Sequence, residues 1–323
     1  MKRRALLAGF GGLPLIWPHA PAVAQEAYPS KPVKILVPFG PGGSTDIISR
    51  LVGKQLETVT GKPFVIENKP GATGMIGTTQ VKNAAADGYT LLLGSTSTLA
   101  ANPGLYKQMT YDPADFTTVA VNGSVGNFML VNKDAPYKTV REFVAFAKAS
   151  REKLFSGYGN ASSRVPSALF EVTTGVKFEE VAYRDAVASI QDLAAGRVDA
   201  VFPDQVVGES YVRSGFVRAL AVTSAERSAL FPEVEAIAET YPGYNIIAFS
   251  CFSVRKETPL EIKQRLNRLI MDALYEPAVL ERVKQLGFQP PPRDWDIARC
   301  DAFVDRERDD WLRYIKLAKI EPQ

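Results

Sequence analysis

Pro38 to Asp46 reads PFGPGGSTD, and its residue types can act together on an anion. Gly40, Gly42 and Gly43 let the backbone approach a ligand or take positive φ. Ile47, Ile48, Leu51, Val52, Gln55 and Leu56 then follow at helical spacing, so Ser44 or Thr45 is placed to cap a helix start. The first amides of a helix point outward with partial positive charge and accept a carboxylate as readily as a phosphate. A nucleotide loop needs Gly-Lys-Ser/Thr after its glycines, and Gly43-Ser44-Thr45 has no lysine. A tight turn with no ligand would use the same glycines, so the motif alone leaves both readings open. Asp46, in the first helical turn, reads as a dipole or loop-ordering partner rather than a direct contact for an anion.

Two further stretches share this character. Gly94-Ser95-Thr96-Ser97-Thr98 follows the apolar run YTLLL, and Gly157-Tyr158-Gly159-Asn160-Ala161-Ser162-Ser163-Arg164 completes and follows KLFSGYG. Three glycine- and hydroxyl-rich strand ends suggest a site lined by amides and hydroxyls rather than by acids and bases. Arg164 is expected to face solvent. The string from Gly71 to Gly77 is GxxGxxG, which is not the dinucleotide fingerprint. Ser150-Arg151-Glu152-Lys153 matches S-x-x-K, but neither S-D-N nor K-T-G occurs after it. Glu179-Glu180 and Asp309-Asp310 are adjacent in sequence and are expected to be solvated.

Composition narrows the chemistry. Lys2, Arg3 and Arg4 precede an apolar run from Ala5 to Trp17, and Ala22-Val23-Ala24 has the form of a cleavage site. This predicts a secretory signal over residues 1–24 and an exported, periplasmic product cut near Ala24, by either the Sec or the twin-arginine route. The signal holds three of the 38 Lys+Arg and none of the 35 Asp+Glu, leaving 35 against 35. A balanced chain argues against a nucleic-acid partner. The single histidine, His19, lies in the signal, so the mature chain has no Ser-His-Asp or Cys-His catalysis and no His-ligated metal. Cys251 and Cys300 could form a disulfide closing a loop worth about 4 kcal/mol, or stay as two buried thiols.

These strand ends need a frame. Apolar runs rich in β-branched residues occur at 33–39, 63–68, 89–95, 117–123, 127–132, 153–159, 178–183, 198–203, 217–223 and 246–254, separated by helix-period segments. That alternation predicts an α/β fold with mostly parallel sheets covered on both faces. Thr139-Val140-Arg141-Glu142 reads as a capping box, Gly175 and Gly196 as helix stops, and Pro259–Tyr275 and Asp296–Lys316 as long helices. In such sheets ligands gather beyond the carboxyl ends of the strands.

The order YPSKPV (28–33), VPFGPGGSTD (37–46), GKPFVIENKPGATGMIG (61–77) and ADGYTLLLGS (86–95) closely resembles the Bug/TctC family, extracytoplasmic solute receptors of tripartite tricarboxylate transport systems. TYDPADFTTVA (110–120), VAYRDAVASIQDLAAGRVDAVFPD (181–204) and VRALAVTSAERSALFPEV (217–234) fit the same pattern in the same order. The resemblance implies a periplasmic-binding-protein clamshell of type II-like design. One lobe would hold 25–125 and 250–323 and the other 126–249, with hinges near Asn122–Gly126 and Ile246–Ser250. It implies a small carboxylate ligand met by Phe39, Gly40, Pro41, Gly42, Gly43, Ser44 and Thr45, with Ser95, Thr96 and Ser97 nearby. From the other lobe it implies Gly159, Asn160, Ala161, Ser162, Ser163, Tyr183 and Asp204. It further implies a monomer without cofactor or metal, partnered by membrane permease subunits or, alternatively, by a signalling sensor. An enzyme using serine or carboxylate chemistry is the remaining reading. The chain departs from the family pattern at Val181-Ala182-Tyr183-Arg184-Asp185, at Glu235-Ala236 and at Phe249-Ser250-Cys251, and the first departure adds a carboxylate near the expected cleft.

Overall fold

The computed structural model describes residues 28–323; the signal segment lies outside them. Among the described residues, eleven strands form two sheets. In chain order they are β1 (Val33–Val37), β2 (Phe64–Asn68), β3 (Thr90–Ser95), β4 (Phe116–Gly126), β5 (Phe128–Asn132), β6 (Leu154–Tyr158), β7 (Phe178–Ala182), β8 (Ala200–Val201), β9 (Val217–Val222), β10 (Glu235–Ala236) and β11 (Ile247–Arg255). The first sheet runs β2-β1-β3-β11-β4 and the second β10-β9-β5-β8-β6-β7.

Helices connect and cover them. Those of the first sheet are α1 (Ser44–Thr60), α2 (Met75–Lys82) and α3 (Asn102–Leu105). The second sheet has α4 (Val140–Ala149), α5 (Ala161–Thr174), α6 (Ala186–Ala194), α7 (Gln205–Arg213) and α8 (Ile237–Thr240). After the return to the first sheet come α9 (Leu260–Leu274), α10 (Pro277–Gln285) and α11 (Ile297–Leu317). The interior strands are buried on both faces, which is why they read as continuous apolar runs: Val33, Ile35, Leu36 and Val37 of β1 and Leu91, Leu92 and Leu93 of β3 are all inaccessible.

Both sheets are mixed, each with one reversed strand. β11 is antiparallel to β3 and β4, and β5 is antiparallel to β8 and β9, while the remaining pairings are parallel. The cause is the path of the chain. β4 leaves the first sheet at its carboxyl end and one residue later becomes β5, so β5 enters the second sheet from the end where β9 finishes and runs against its neighbours. β11 makes the opposite crossing. The two crossing strands also pair with one another from Ile247↔Gly126 to Arg255↔Phe116, with register shifts at Ser250/Cys251 and Phe252/Ser253.

Apolar packing continues between the sheets. One buried cluster includes Leu92 and Leu99 of the first part, Phe143, Phe170 and Phe202 of the second, and Trp311 of α11. Phe170 sits within 6.3 Å, ring centre to ring centre, of Phe143, Phe178 and Phe202. Burying a phenyl ring this fully stabilises by up to about 3 kcal/mol. Trp311 donates its Nε1–H to Ile247 O at 3.1 Å, fastening the last helix to the returning strand. Cys251 and Cys300 are unpaired, and burial pushes their thiols up to about 12 and about 11.

Gly175 and Gly196 end their segments at φ 78° and 72°. At α4 the cap differs from the sequence expectation. Thr139 Oγ1 accepts from Glu142 N at 3.2 Å, but Glu142 reaches one residue further out, to Lys138 N at 2.6 Å, so the box is not reciprocal.

Candidate functional site

The loop after β1 is shaped by its glycines and by one acid. Gly42 lies at φ 82°, a conformation that favours glycine, and Gly43 is the N-cap of α1 at φ −79°. No side chain caps this helix. Ser44 and Thr45 were placed to do so, but the helix begins at Ser44, which carries both hydroxyls inside its first turn. The leading amides of α1 are therefore left without helical carbonyl partners. Asp46 turns back beneath the loop. Its Oδ2 accepts Gly42 N at 3.0 Å, its Oδ1 accepts Asn68 Nδ2 at 2.9 Å, and Arg50 donates Nε and Nη2 to the two oxygens at 3.0 and 2.8 Å. Burial opposes the charged form, yet Arg50, the Gly42 amide and Asn68 outweigh it and hold the Asp46 carboxyl below its ordinary range. Asn68 also donates to Phe39 O at 3.1 Å, and the Phe39 ring lies against Gly74, where an added Cβ would come within 3.1 Å of Cζ. Gly40 has open space around it, and Pro41 is exposed at the rim.

At the end of β3 the hydroxyls divide. Ser95 N is held by Thr98 Oγ1 at 3.0 Å. Thr96 is buried, and its Oγ1 accepts Phe249 N at 2.7 Å and donates to Phe249 O, so it is engaged by β11. Ser97 reaches the second sheet, where its Oγ accepts Ser162 N at 3.3 Å.

Asn160 opens α5. Its Oδ1 accepts Ser163 N at 3.0 Å and Ser162 Oγ at 2.9 Å, while Ser163 Oγ accepts Gly159 N and Asn160 N at 3.2 and 3.3 Å. This reciprocal cap engages Ser163, and Ala161 is buried behind it. Gly159 fits tightly against the chain before α6: a Cβ there would lie 2.2 Å from Asp185 C. Asp185 itself caps α6 through Ala188 N at 2.8 Å. Tyr183 donates its hydroxyl to Asp192 Oδ2 of the same helix at 2.9 Å, and burial together with that carboxylate pushes the phenol up to about 12.

Asp204 caps α7, with Oδ1 accepting Val207 N at 3.0 Å, and its Oδ2 accepts Ser44 Oγ at 3.0 Å across a separation of 160 residues. Burial pushes this carboxyl above its ordinary range, against the hydrogen bonds from Val207 and Ser44. Ser44 with Asp204, and Ser97 with Ser162, are thus joined directly between the sheets. A groove of about 420 Å³ adjoins the first contact, lined by Gly42 and Ile47 on one side and Val206, Val207 and Tyr211 on the other.

Arg164 departs from its expected solvent position. It makes a two-pronged contact with Glu180 at 2.8–3.0 Å and lies over the Tyr158 ring, leaving its side chain 13 % exposed. Glu179 and Glu180 are both exposed on β7, as expected, and Glu180 meets Arg164 there. Asn127 was missed as more than a strand residue. Its Nδ2 ties Ser162 O and Phe202 O at 2.8 and 2.7 Å, and its Oδ1 has no partner among the described residues although Asn127 is 1 % exposed. The available signal was a polar residue heading an otherwise apolar strand. Among the described residues there is no group of His, Cys, Asp and Glu fit for a metal, and no helix long and apolar enough to cross a membrane.

Residues 48–316 match the family described as tripartite tricarboxylate transporter family receptor. The chain belongs to that family. Solved relatives include Rpa4515 of R. palustris, determined with adipate, which is 31 % identical with a TM-score of 0.88 and covers 92 % of this chain and 100 % of its own. MatC from Rhodopseudomonas palustris, with bound malate, is 28 % identical with a TM-score of 0.83, covering 89 % of this chain and 100 % of that one. Protein BugT of Bordetella pertussis (strain Tohama I) is 32 % identical over 92 % of each chain. The tricarboxylate-receptor family and these solved neighbours are binding proteins, and their two-sheet α/β architecture is that of this chain.

Proposed function

We propose that this protein is a periplasmic receptor that captures a small carboxylate between two lobes and presents it to the membrane permease of a tripartite tricarboxylate system. The lobes are 25–125 with 250–323, and 126–249, closing about the crossing strands. The observation that carries this reading is the uncapped start of α1, whose free amides face a loop system of the other sheet at Ser44–Asp204 and Ser97–Ser162. The adipate and malate held by two relatives support a carboxylate as the ligand.

A hydrogen bond to a charged acceptor contributes about 1.5–3 kcal/mol, and a partly buried helix end up to about 2. Three or four such bonds reach about 8 kcal/mol, or roughly micromolar affinity. Contacts from both lobes give the ligand the preference for the closed form that a population shift requires.

Thermal-shift screening of the mature protein against mono-, di- and tricarboxylates, with mass spectrometry of any co-purified ligand, tests the reading. A carboxylate should raise Tm without being consumed. Gly43→Val should abolish binding and leave the circular dichroism unchanged, since a Cβ at Gly43 meets the protein's own atoms no closer than 3.8 Å. Unaltered affinity in that variant rejects the loop as the anion contact. Loss of labelled-carboxylate uptake on deleting the receptor tests delivery.

A further inference from the structure

α5 and α11 cover different sheets, and between their carboxyl ends lies a cavity of about 380 Å³. Its apolar walls are Ala168 and Val172 of α5 and Ala318, the residue that ends α11. Val172 is 45 % exposed and Leu317, next to Ala318, is 49 % exposed, so apolar surface here is left open to water.

Cations converge on this cavity from three segments. Lys177 and Lys319 line it, and Lys148 of α4 reaches over Gly175, where an added Cβ would come within 3.7 Å of its Nζ. All three lysines are exposed, and none makes a salt bridge among the described residues. Lys153 and Arg313, by contrast, are paired with Glu179 and Asp310. Glu171 is the one acid among the lining residues; it too makes no salt bridge, and burial pushes its carboxyl above its ordinary range.

We propose that this cavity is a docking surface for the permease, taking an acidic extramembrane segment that carries a protruding apolar side chain. The inference rests on the delivery part of the reading above and not on the identity of the carboxylate. Charge complementarity selects the occupant. A partner that brings carboxylates to three uncompensated ammonium groups gains steering and register, and its apolar tip covers the Ala168, Val172 and Ala318 walls. A free small anion gains little from lysines that stand in water. A flat bilayer surface would meet the lysines and leave the concave floor empty.

The probe is the membrane subunits of the permease in nanodiscs of phosphatidylcholine, a lipid without net charge; vesicles of phosphatidylglycerol are the lipid control. Biolayer interferometry uses mature receptor saturated with the carboxylate that raises its Tm. Wild type should bind the nanodiscs, and less tightly as ionic strength rises from about 0.1 M to about 1 M, where the screening length falls from about 10 Å to about 3 Å. The combined variant Lys148→Glu, Lys177→Glu, Lys319→Glu exchanges three attractions for repulsions on exposed side chains and should weaken association at least about tenfold. Ala318→Phe fills the cavity without altering charge and should weaken it at least about fivefold. Both should keep the wild-type carboxylate affinity, because neither touches the loop before α1.

A combined lysine variant that binds the nanodiscs as tightly as wild type overturns the docking surface and leaves delivery standing. So does Ala318→Phe with undiminished affinity, since attraction would then operate without insertion. Lysine-dependent binding to the phosphatidylglycerol vesicles that equals binding to the permease assigns the surface to lipid and overturns the proposal as well. If carboxylate-loaded wild type does not bind the permease nanodiscs at all, delivery fails first and the docking surface goes with it.

Discussion

Replacing Asp46 by alanine should loosen the loop before α1 without unfolding the sheet behind it. The carboxylate accepts from Gly42 N at 3.0 Å, Asn68 Nδ2 at 2.9 Å and two nitrogens of Arg50 at 2.8 and 3.0 Å. Its side chain is 5 % exposed, whereas that of Arg50 is 53 % exposed. The Arg50 pair is therefore half in water and worth less than about 1 kcal/mol. The two amide donors to a buried charge carry more, about 1.5–3 kcal/mol each. Allowing for water reaching the freed groups, the net loss should be about 3 kcal/mol, or about 5 °C in Tm for a chain of this size.

The pH dependence identifies the cause. Because the folded carboxyl lies below its ordinary range, its contribution is present above the unfolded pKa near 4 and is lost as pH falls through the folded value. Calorimetry should therefore show wild type and Asp46→Ala well separated at pH 7 and converging below about pH 4. Carboxylate affinity should fall with the loop, since Gly42 loses the tether that holds its positive φ. A Tm difference under 1 °C at pH 7, or a gap of constant size across the titration, would refute the reasoning.

Two other changes probe different physics. Gly159→Ala drives a Cβ to 2.2 Å from Asp185 C, a backbone clash that should cost about 1–3 kcal/mol and displace the Asn160 cap; thermal denaturation that matches wild type would show the loop free to move. Glu307 has its carboxyl pushed up to about 7 by burial, aided by Asp310 and opposed by Arg306. Between the unfolded value and about 7 the folded state binds more protons, so wild type loses stability as pH rises through that window. Glu307→Gln should match wild type at pH 4 and melt higher at pH 8; equal melting at both would sink the assignment.

Much of the frame was legible because buried parallel strands need near-continuous apolar runs, as in β1 and β3, and the ten runs lie on or overlap ten strands, although β7, at a sheet edge, carries the exposed Glu179 and Glu180. The missed strand, β10, has two residues and no periodicity to display. Pairing direction was not legible: nothing within IIAFSCFSV reveals that its neighbours run the other way, since that follows from where the chain re-enters the sheet. At the site, which glycines and hydroxyls end the strands could be read directly. Their partners could not, because Ser44 meets Asp204 over 160 residues and Arg164 finds Glu180 on a neighbouring strand. Local sequence states what a residue can do, and tertiary contact decides whether its hydroxyl is already taken, as with Thr96.

The place of β11 between β3 and β4 also governs the order of assembly. A nascent chain halted before Ile247 has two raw edges where the middle of its first sheet belongs, and every residue of the second sheet must emerge before the strand that seals them. The portion synthesised earliest is thus completed late, through contacts of long sequence separation that form slowly. During that interval the unsealed strands of the first sheet are vulnerable to edge-to-edge association.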